Sequence, residues 1–236
     1  MRCIDLPSTD IYFNLAAEEY LLKQCTDNVF MLWQDAGAVV IGKHQRWRAE
    51  VDAAFAQARG IPVARRLSGG GAVYHDSGNL NLTFVETARL PRFDEYLQRT
   101  LGFLSSLGIV ARGDDRLGIY IDGLKVSGSA QCVHRGRMLY HCTLLFDTDL
   151  PTLNRVLAAP PSASPPVGYG VPSVRSEVTN IKDYLPGPLA TAEFRQQAFR
   201  YFAEGAGAQP FDEGETEAIR LLREERYRRG EWIYCK

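Results

Sequence analysis

The 236-residue chain lacks most of the features that announce a function class. Its formal net charge is −1, from 27 basic and 28 acidic residues, so no cationic excess points to nucleic acid. No apolar run approaches the ~20 residues that a membrane helix needs. The opening residues MRCIDLPSTDIYFN lack the charged and apolar regions of a signal peptide. The five cysteines are odd in number and scattered, without a C-x-x-C pair. They fit free thiols in a reducing, cytoplasmic setting better than a disulfide framework or a zinc site, and no metal ligand set is expected. There is no internal repeat. No G-K-S/T follows a glycine run, as a Walker loop requires, and no G-x-G-x-x-G opens a helix.

What the chain does have is 45% hydrophobic residues, enough for a substantial core, and one conspicuous stretch. Residues 65–84 read RRLSGGGAVYHDSGNLNLTF. Three consecutive glycines tolerate positive φ and close approach of another group. Their unshielded N–H groups can cradle an anion, and Arg65 or Arg66 can add a charge-assisted bond to a phosphate or carboxylate.

Local patterns divide the rest into elements. Residues 9–25 read as a helix capped by Ser8 or Thr9, with Ile11, Leu15 and Leu22 on one stripe. Glu18 falls on that stripe and is expected at its edge, reaching water. Val29–Trp33 and Ala38–Ile41 read as a strand pair joined by turn residues 35–37, and the loop GKHQRW follows. Residues 49–59 read as a helix, with Val51, Ala54, Phe55 and Ala58 in helical spacing and Gly60 as its stop. A strand at 61–64 leads into the glycine loop. GAVYH and NLNLTF follow as strands, the second with Leu80, Leu82 and Phe84 on one face and Asn79, Asn81 and Thr83 on the other. A helix from about Phe93 turns Leu97, Leu101 and Leu104 inward and ends before Gly108.

Asp122 and Gly123 between β-forming residues signal a two-residue hairpin. Alternation then puts Lys125, Ser127 and Ser129 on one face and Leu124, Val126 and Gly128 on the other. A second hairpin turns near Arg135 and Gly136 and returns through MLYHCTLLF. A plain two-residue turn places Cys142 opposite Ser129 on the Lys125 side. A one-residue bulge places His141 and Thr143 there instead. Asp149 starts a short helix, and residues 160–172 read as a Pro-, Gly- and Ser-rich loop. Thr191 is expected to cap a helix with Phe194, Ala198 and Tyr201 inward. Residues 213–229 form the last helix, ending in the solvated Arg226, Arg228 and Arg229.

The glycine loop, the arginine pair and Lys125 all suit anions. Backbone amides with Arg and Lys can hold a nucleotide for phosphoryl or adenylyl chemistry, which needs positioning and charge neutralisation. A competing chemistry is a covalent thiol at Cys132 or Cys142, each close in sequence to a histidine, although adjacent strand residues point to opposite faces.

Taken together, these segments resemble the lipoate–protein ligase A family of the biotin/lipoate ligase superfamily. NLAAEEYLL, FMLWQDAGAVVIGKHQ, RRLSGGGAVYHDSGNLNLTF, DGLKVSGSAQ, HCTLLFDTDL and SVRSEVTNI occur in the family's order across most of the chain. The resemblance implies an α+β fold, a mixed, largely antiparallel sheet flanked by helices, as a single catalytic domain over 1–236 without an accessory C-terminal domain. It implies that lipoate attacks the α-phosphate of ATP, carried with Mg2+, to give lipoyl-AMP. The acyl group then passes to a lysine of a lipoyl domain, in a 2-oxoacid dehydrogenase complex or the glycine cleavage H protein. Carried over by motif, Arg66 and residues Gly71, Ala72, Val73 and Tyr74 hold the nucleotide. Lys125 bridges phosphate and acyl oxygen, and Gly69, Gly70, His75, His44 and Ser127 lie along the lipoyl group. The family's G-R-N-D stands here as Asp115-Arg116-Leu117-Gly118, and Cys142 replaces the glycine after His141. Some relatives use a separate accessory subunit, which this chain is expected to need if its adenylation depends on one. Related octanoyl or lipoyl transferases working through a cysteine thioester, and non-catalytic lipoyl- or nucleotide-binding relatives, are the alternatives.

Overall fold

The computed structural model describes residues 1–87, 92–158 and 170–235. Most of the expected loop at 160–172 therefore lies outside the described residues. The frame is a five-stranded sheet in the order β1 (Arg2–Asp5), β2 (Val29–Trp33), β6 (Asn79–Thr87), β11 (Arg137–Leu145) and β10 (Ser129–His134). β1 runs parallel to β2, and every other pairing is antiparallel. A second sheet holds β3 (Ala38–Ile41) between β4 (Val63–Arg65) and β5 (Val73–His75). A third, antiparallel throughout, comprises β7 (Arg112–Gly113), β8 (Ile119–Ile121) and β9 (Leu124–Ser127). The α+β class stands as expected, but β2 and β3 are not a pair. Each is buried along its whole length, and they enter different sheets.

Helices cover both faces of the large sheet. On one face Phe30, Leu82, Phe84 and Tyr140 pack against Tyr96 and Phe103 of α4 (Phe93–Ser106) and Phe194, Ala198 and Phe202 of α6 (Thr191–Ala203). The inward aromatic of α6 is Phe202, with Tyr201 38% exposed, and Thr191 is the first helical residue after Ala190 at the N-cap position. On the other face Met31, Val85 and Leu139 pack against Leu15, Leu21 and Leu22 of α1 (Ile11–Lys23). Asp10 caps α1 by accepting from the Tyr12 N–H, and Ser8 steadies Asp10 in turn.

The expected helix over 49–59 is broken. α2 (Trp47–Glu50) and α3 (Ala53–Ala58) are separated by Val51 in extended conformation, and Asp52 caps the second piece from the Phe55 N–H. The break buries Val51 and Ala56 while Ala54 and Ala58 stay exposed. Asp149 caps α5 (Leu150–Val156) through the Thr152 N–H. The last expected helix is α7 (Glu213–Leu222), closed at its start by a capping box of Asp212 and Glu215. It widens into a π-turn over Arg223–Tyr227 before α8 (Gly230–Tyr234). The π-turn brings Arg226 and Tyr227 onto the buried carboxylate of Glu19, at 2.5 Å and 2.8 Å. Arg226 is thus an ion-pair partner of α1 and not part of a solvated face.

Candidate active site

Adjacent arginines open the glycine loop and have different tasks. The Arg65 guanidinium is fully buried and donates to five backbone carbonyls: Gly42, Lys43 and Gln45 on one side, Trp232 and Ile233 on the other. All three guanidinium nitrogens are engaged with backbone carbonyls, so Arg65 is part of the frame. Arg66 reaches the carbonyls of Val40, Gly69 and Gly71 and the Ser68 hydroxyl, and it borders a cavity. Burial lowers its pKa to about 10, with Glu18 pulling the other way. Gly70 takes φ +85° and a Cβ there would meet the Arg66 guanidinium at 2.8 Å, so this position needs glycine. The same loop passes so close to Gly42 that a Cβ at Gly42 would lie 2.1 Å from the Gly70 carbonyl oxygen.

Two adjoining cavities meet at Lys125. The first, about 150 Å³, is walled by Leu15, Trp33, Val40, His75, Asn81 and His141 and opens past Arg66 and the glycine loop. The second, about 190 Å³, is walled by Tyr74, Leu145, Leu153, Leu157 and Val178. Ala72, Val73, Gly128, Thr143 and Lys125 border both. Among the expected site residues, Arg66, Gly70, Gly71 and His75 border only the first cavity, while Tyr74 and Ser127 border only the second. Gly69 borders neither and spends its carbonyl on Arg66. His44 is exposed on the 42–46 loop, away from both cavities, so the structure does not place it along an acyl tunnel.

Lys125 arrives by local turn chemistry. Asp122 and Gly123, at φ 49° and 83°, close the β8–β9 hairpin. The second hairpin also has a plain turn, with Arg135 and Gly136 at φ 48° and 80° and Ser129 opposite Cys142. The faces nevertheless exchange, because the chain breaks at Gly128 between β9 and β10. There the Gly128 N–H donates to Thr143 Oγ1 at 3.1 Å, and the Thr143 N–H donates to the Gly128 carbonyl. Thr143 thus stands beside Lys125, and Cys142 joins the apolar core with Leu144 and Phe146. A backbone ladder to residues 177–179 pins Lys125 from its other side. Its ammonium lies 5.8 Å from the centre of the Tyr120 ring, and no carboxylate pairs with it among the described residues. Burial pulls its pKa below the ordinary lysine range, against the attraction of Asp114.

A buried polar chain floors the first cavity. Trp33 Nε1 donates to Thr83, Thr83 donates to Glu18 at 2.6 Å, and His141 Nδ1 meets the same Glu18 oxygen at 2.8 Å. His141 Nε2 lies 2.8 Å from the Ser68 hydroxyl, which accepts from Arg66. In the neutral ring the Nδ1 proton goes to Glu18, leaving Nε2 to accept from Ser68. Glu18 is therefore buried and does not reach water as its helical position suggested; only its place on an apolar stripe hinted at this role. Beside it, Asp35 accepts from Asn14 and His75, and His75 Nε2 has no partner among the described residues. Burial raises the Asp35 pKa, opposed by His75 and then Asn14.

Sequence reasoning also passed over Ser173. Gln45 donates to its hydroxyl, the Ala72 N–H donates to the same oxygen at 2.8 Å, and its own N–H donates to Glu50. Leu117, where the family motif has asparagine, sits at φ +60°. That left-handed geometry comes easily to asparagine and costs a leucine about 1–2 kcal/mol. Among the described residues no group of three or more His, Cys, Asp or Glu is placed to hold a metal ion. The Cys142 thiol is buried and pushed up to about 12, with hydroxyls of Thr100, Tyr140 and Ser127 pulling it down. It does not supply an accessible thiolate.

Comparisons with known proteins identify the family. The model of the lipoyl protein ligase A/B catalytic domain matches residues 10–203. Lipoate–protein ligase LplJ of Bacillus subtilis is 34% identical over 236 residues, covering 95% of this chain and 70% of that protein. Lipoate–protein ligase 1 of Staphylococcus aureus is 32% identical, covering 96% of this chain and 70% of that protein. Among solved structures, the Thermoplasma acidophilum protein Ta0514 with bound lipoic acid superimposes with a TM-score of 0.83 at 25% identity, covering 100% of this chain and 99% of that one. A lipoate–protein ligase A bound with ATP does so with a TM-score of 0.83 at 25% identity, covering 99% and 98%. This chain belongs to the lipoyl protein ligase A/B catalytic domain family.

Proposed function

We infer that the protein attaches lipoate to a lysine of an acceptor lipoyl domain, using ATP and passing through lipoyl-AMP. One observation carries the reading: Lys125, without a carboxylate partner among the described residues, stands where the two cavities meet. The first cavity takes the acyl tail against Trp33, Val40 and Leu15, and the second takes the adenosine against Tyr74, Leu145 and Leu153. The lipoate carboxylate and the α-phosphate then converge on Lys125. The carboxylate oxygen bonds to phosphorus and pyrophosphate leaves. The ammonium meets the charge that grows there, which is where a fixed cation accelerates most. In the second step the acceptor amine attacks the acyl carbonyl, AMP leaves and the amine's proton passes to solvent.

The magnesium accompanying ATP belongs to the substrate in this reading. Residues 1–236 act as one catalytic domain in a cytosolic setting, consistent with five free cysteines and no helix among the described residues long and apolar enough to cross a membrane. A structure of a bi-partite ligase with its E2 lipoyl domain is similar to this chain at a TM-score of 0.83. It supports a 2-oxoacid dehydrogenase lipoyl domain as acceptor, with the H protein as a second candidate and a separate accessory chain as an aid to adenylation.

Intact mass of an apo lipoyl domain tests this reading. The mass is expected to rise by one lipoyl group with lipoate and Mg-ATP, and to stay unchanged with octanoyl-carrier protein without ATP. The reverse pattern would identify an acyltransferase, and a binding relative would modify nothing in either arm.

A further inference from the structure

Arg116 is exposed and borders the first cavity, as Arg66 does, close to Lys125. Its guanidinium has no hydrogen bond or ion pair among the described residues, although Asp114 and Asp115 are its neighbours in the chain. Asp114 is already committed. Its Oδ1 accepts from the N–H groups of Arg116 and Gly118, at 3.1 Å and 2.7 Å, and its Oδ2 accepts from the Tyr120 hydroxyl at 3.0 Å. Its backbone pairs with Leu117 and Gly118. The Ser129 hydroxyl holds the Leu117 carbonyl at 3.1 Å. These bonds keep a tight turn with a left-handed leucine at its end, and the turn presents to the cavity a cation with no partner among the described residues. Backbone held in an unfavourable region by so many bonds is a reason to ask what it orients.

The neighbourhood answers with electrostatics. Arg116 is close enough to Lys125 to disfavour its charge, and close enough to Tyr120 to favour that residue's anion. Two cations with no carboxylate partner among the described residues, bordering one opening, repel each other unless an anion sits between them. Lys125 borders both cavities, whereas Arg116 borders only the first. A nucleotide with its base in the second cavity and its α-phosphate at Lys125 has its remaining phosphates near this opening.

We propose that Arg116 is a catalytic residue of the adenylation step, binding the terminal phosphates of ATP and the departing pyrophosphate, with Asp114 as the residue that positions it. The assignment rests on the ligase reading above. It separates the half-reactions: Arg116 serves the step that makes pyrophosphate and is idle in the step that releases AMP.

The test measures both half-reactions in wild type, Arg116→Ala, Arg116→Lys and Asp114→Asn. Pyrophosphate release is followed against ATP concentration, and acyl transfer is followed from presynthesised lipoyl-AMP to an apo lipoyl domain. Arg116→Ala is expected to lower kcat/KM for ATP by about 100-fold and to leave transfer from lipoyl-AMP within about twofold, with Arg116→Lys restoring part of the loss. Asp114→Asn is expected to reproduce the defect more weakly. Unchanged adenylation, or both half-reactions falling together, would overturn the assignment. Should the wild type form no lipoyl-AMP, the ligase reading itself fails. Binding of inorganic pyrophosphate by calorimetry then decides for Arg116: severalfold weaker binding to Arg116→Ala supports the anion clamp, and equal binding overturns it.

Discussion

β6 and β11 are buried on both faces, yet the two faces are made of different matter. Toward α4 and α6 they present Leu80, Leu82, Phe84, Tyr140, Cys142 and Leu144, a continuous apolar and aromatic surface. Toward α1 and the glycine loop they add to Val85 and Leu139 a polar set: Thr83, His141 and Thr143, tied to Glu18, Ser68 and Gly128 by hydrogen bonds, and Asn81, which accepts from Asn79. The period-2 geometry of a strand allows this separation, because neighbouring residues answer to different demands. The apolar face supplies burial, and the polar face, held in place by it, supplies the wall of the first cavity.

Changes on either face can break that division of labour. The largest effect is expected on the apolar side. Phe84 stacks between Phe30 and Tyr96 at 5.2 Å and 4.7 Å, and Phe84→Ala should cost about 3–5 kcal/mol in urea unfolding. The fraction that stays folded should still ligate. A loss below about 1 kcal/mol would place the stability elsewhere. Next is Lys125→Ala, expected to slow lipoyl-AMP formation about 10²–10³-fold with little change in unfolding. Because burial holds Lys125 below its ordinary pKa, the fold disfavours its charged form. The wild type should therefore gain stability as pH rises through the lowered value toward that of free lysine. The variant should lack that gain, and a matching gain in the variant would remove Lys125 as its source. The smallest effect belongs to Thr143→Val, which keeps the shape but removes the acceptor of the Gly128 N–H. About 1 kcal/mol of stability and about a tenfold loss of adenylation are expected. Silence in both assays would mean that backbone bonds alone maintain the break at Gly128.

Legibility in the sequence followed the range of the forces involved. Val29–Trp33, Ala38–Ile41 and both two-residue hairpins were readable because apolar runs and left-handed turn residues are local signals. The glycine loop and Lys125, both expected to suit an anion, stood out for the same reason, and the structure brings them to one cavity. The partition of the strands was not: β2 and β3, like β5 and β6, follow one another closely and then enter different sheets. The helix broke at Val51 because burying Val51 and Ala56 outweighed helical continuity. Glu18 looked like a stray charge because its partners, Thr83 and His141, lie 65 and 123 positions away. No window of sequence spans such distances.

The same separation has a consequence in time. Arg65 leads the glycine loop, but two of the carbonyls that receive its charge, those of Trp232 and Ile233, are 167 and 168 positions further along the chain. A buried guanidinium short of acceptors is strongly penalised. During synthesis the loop is thus made early and secured late. A nascent chain halted before α8 has every residue of the proposed nucleotide cradle without the clasp that holds it, and the ribosome must release that helix before the cradle can set.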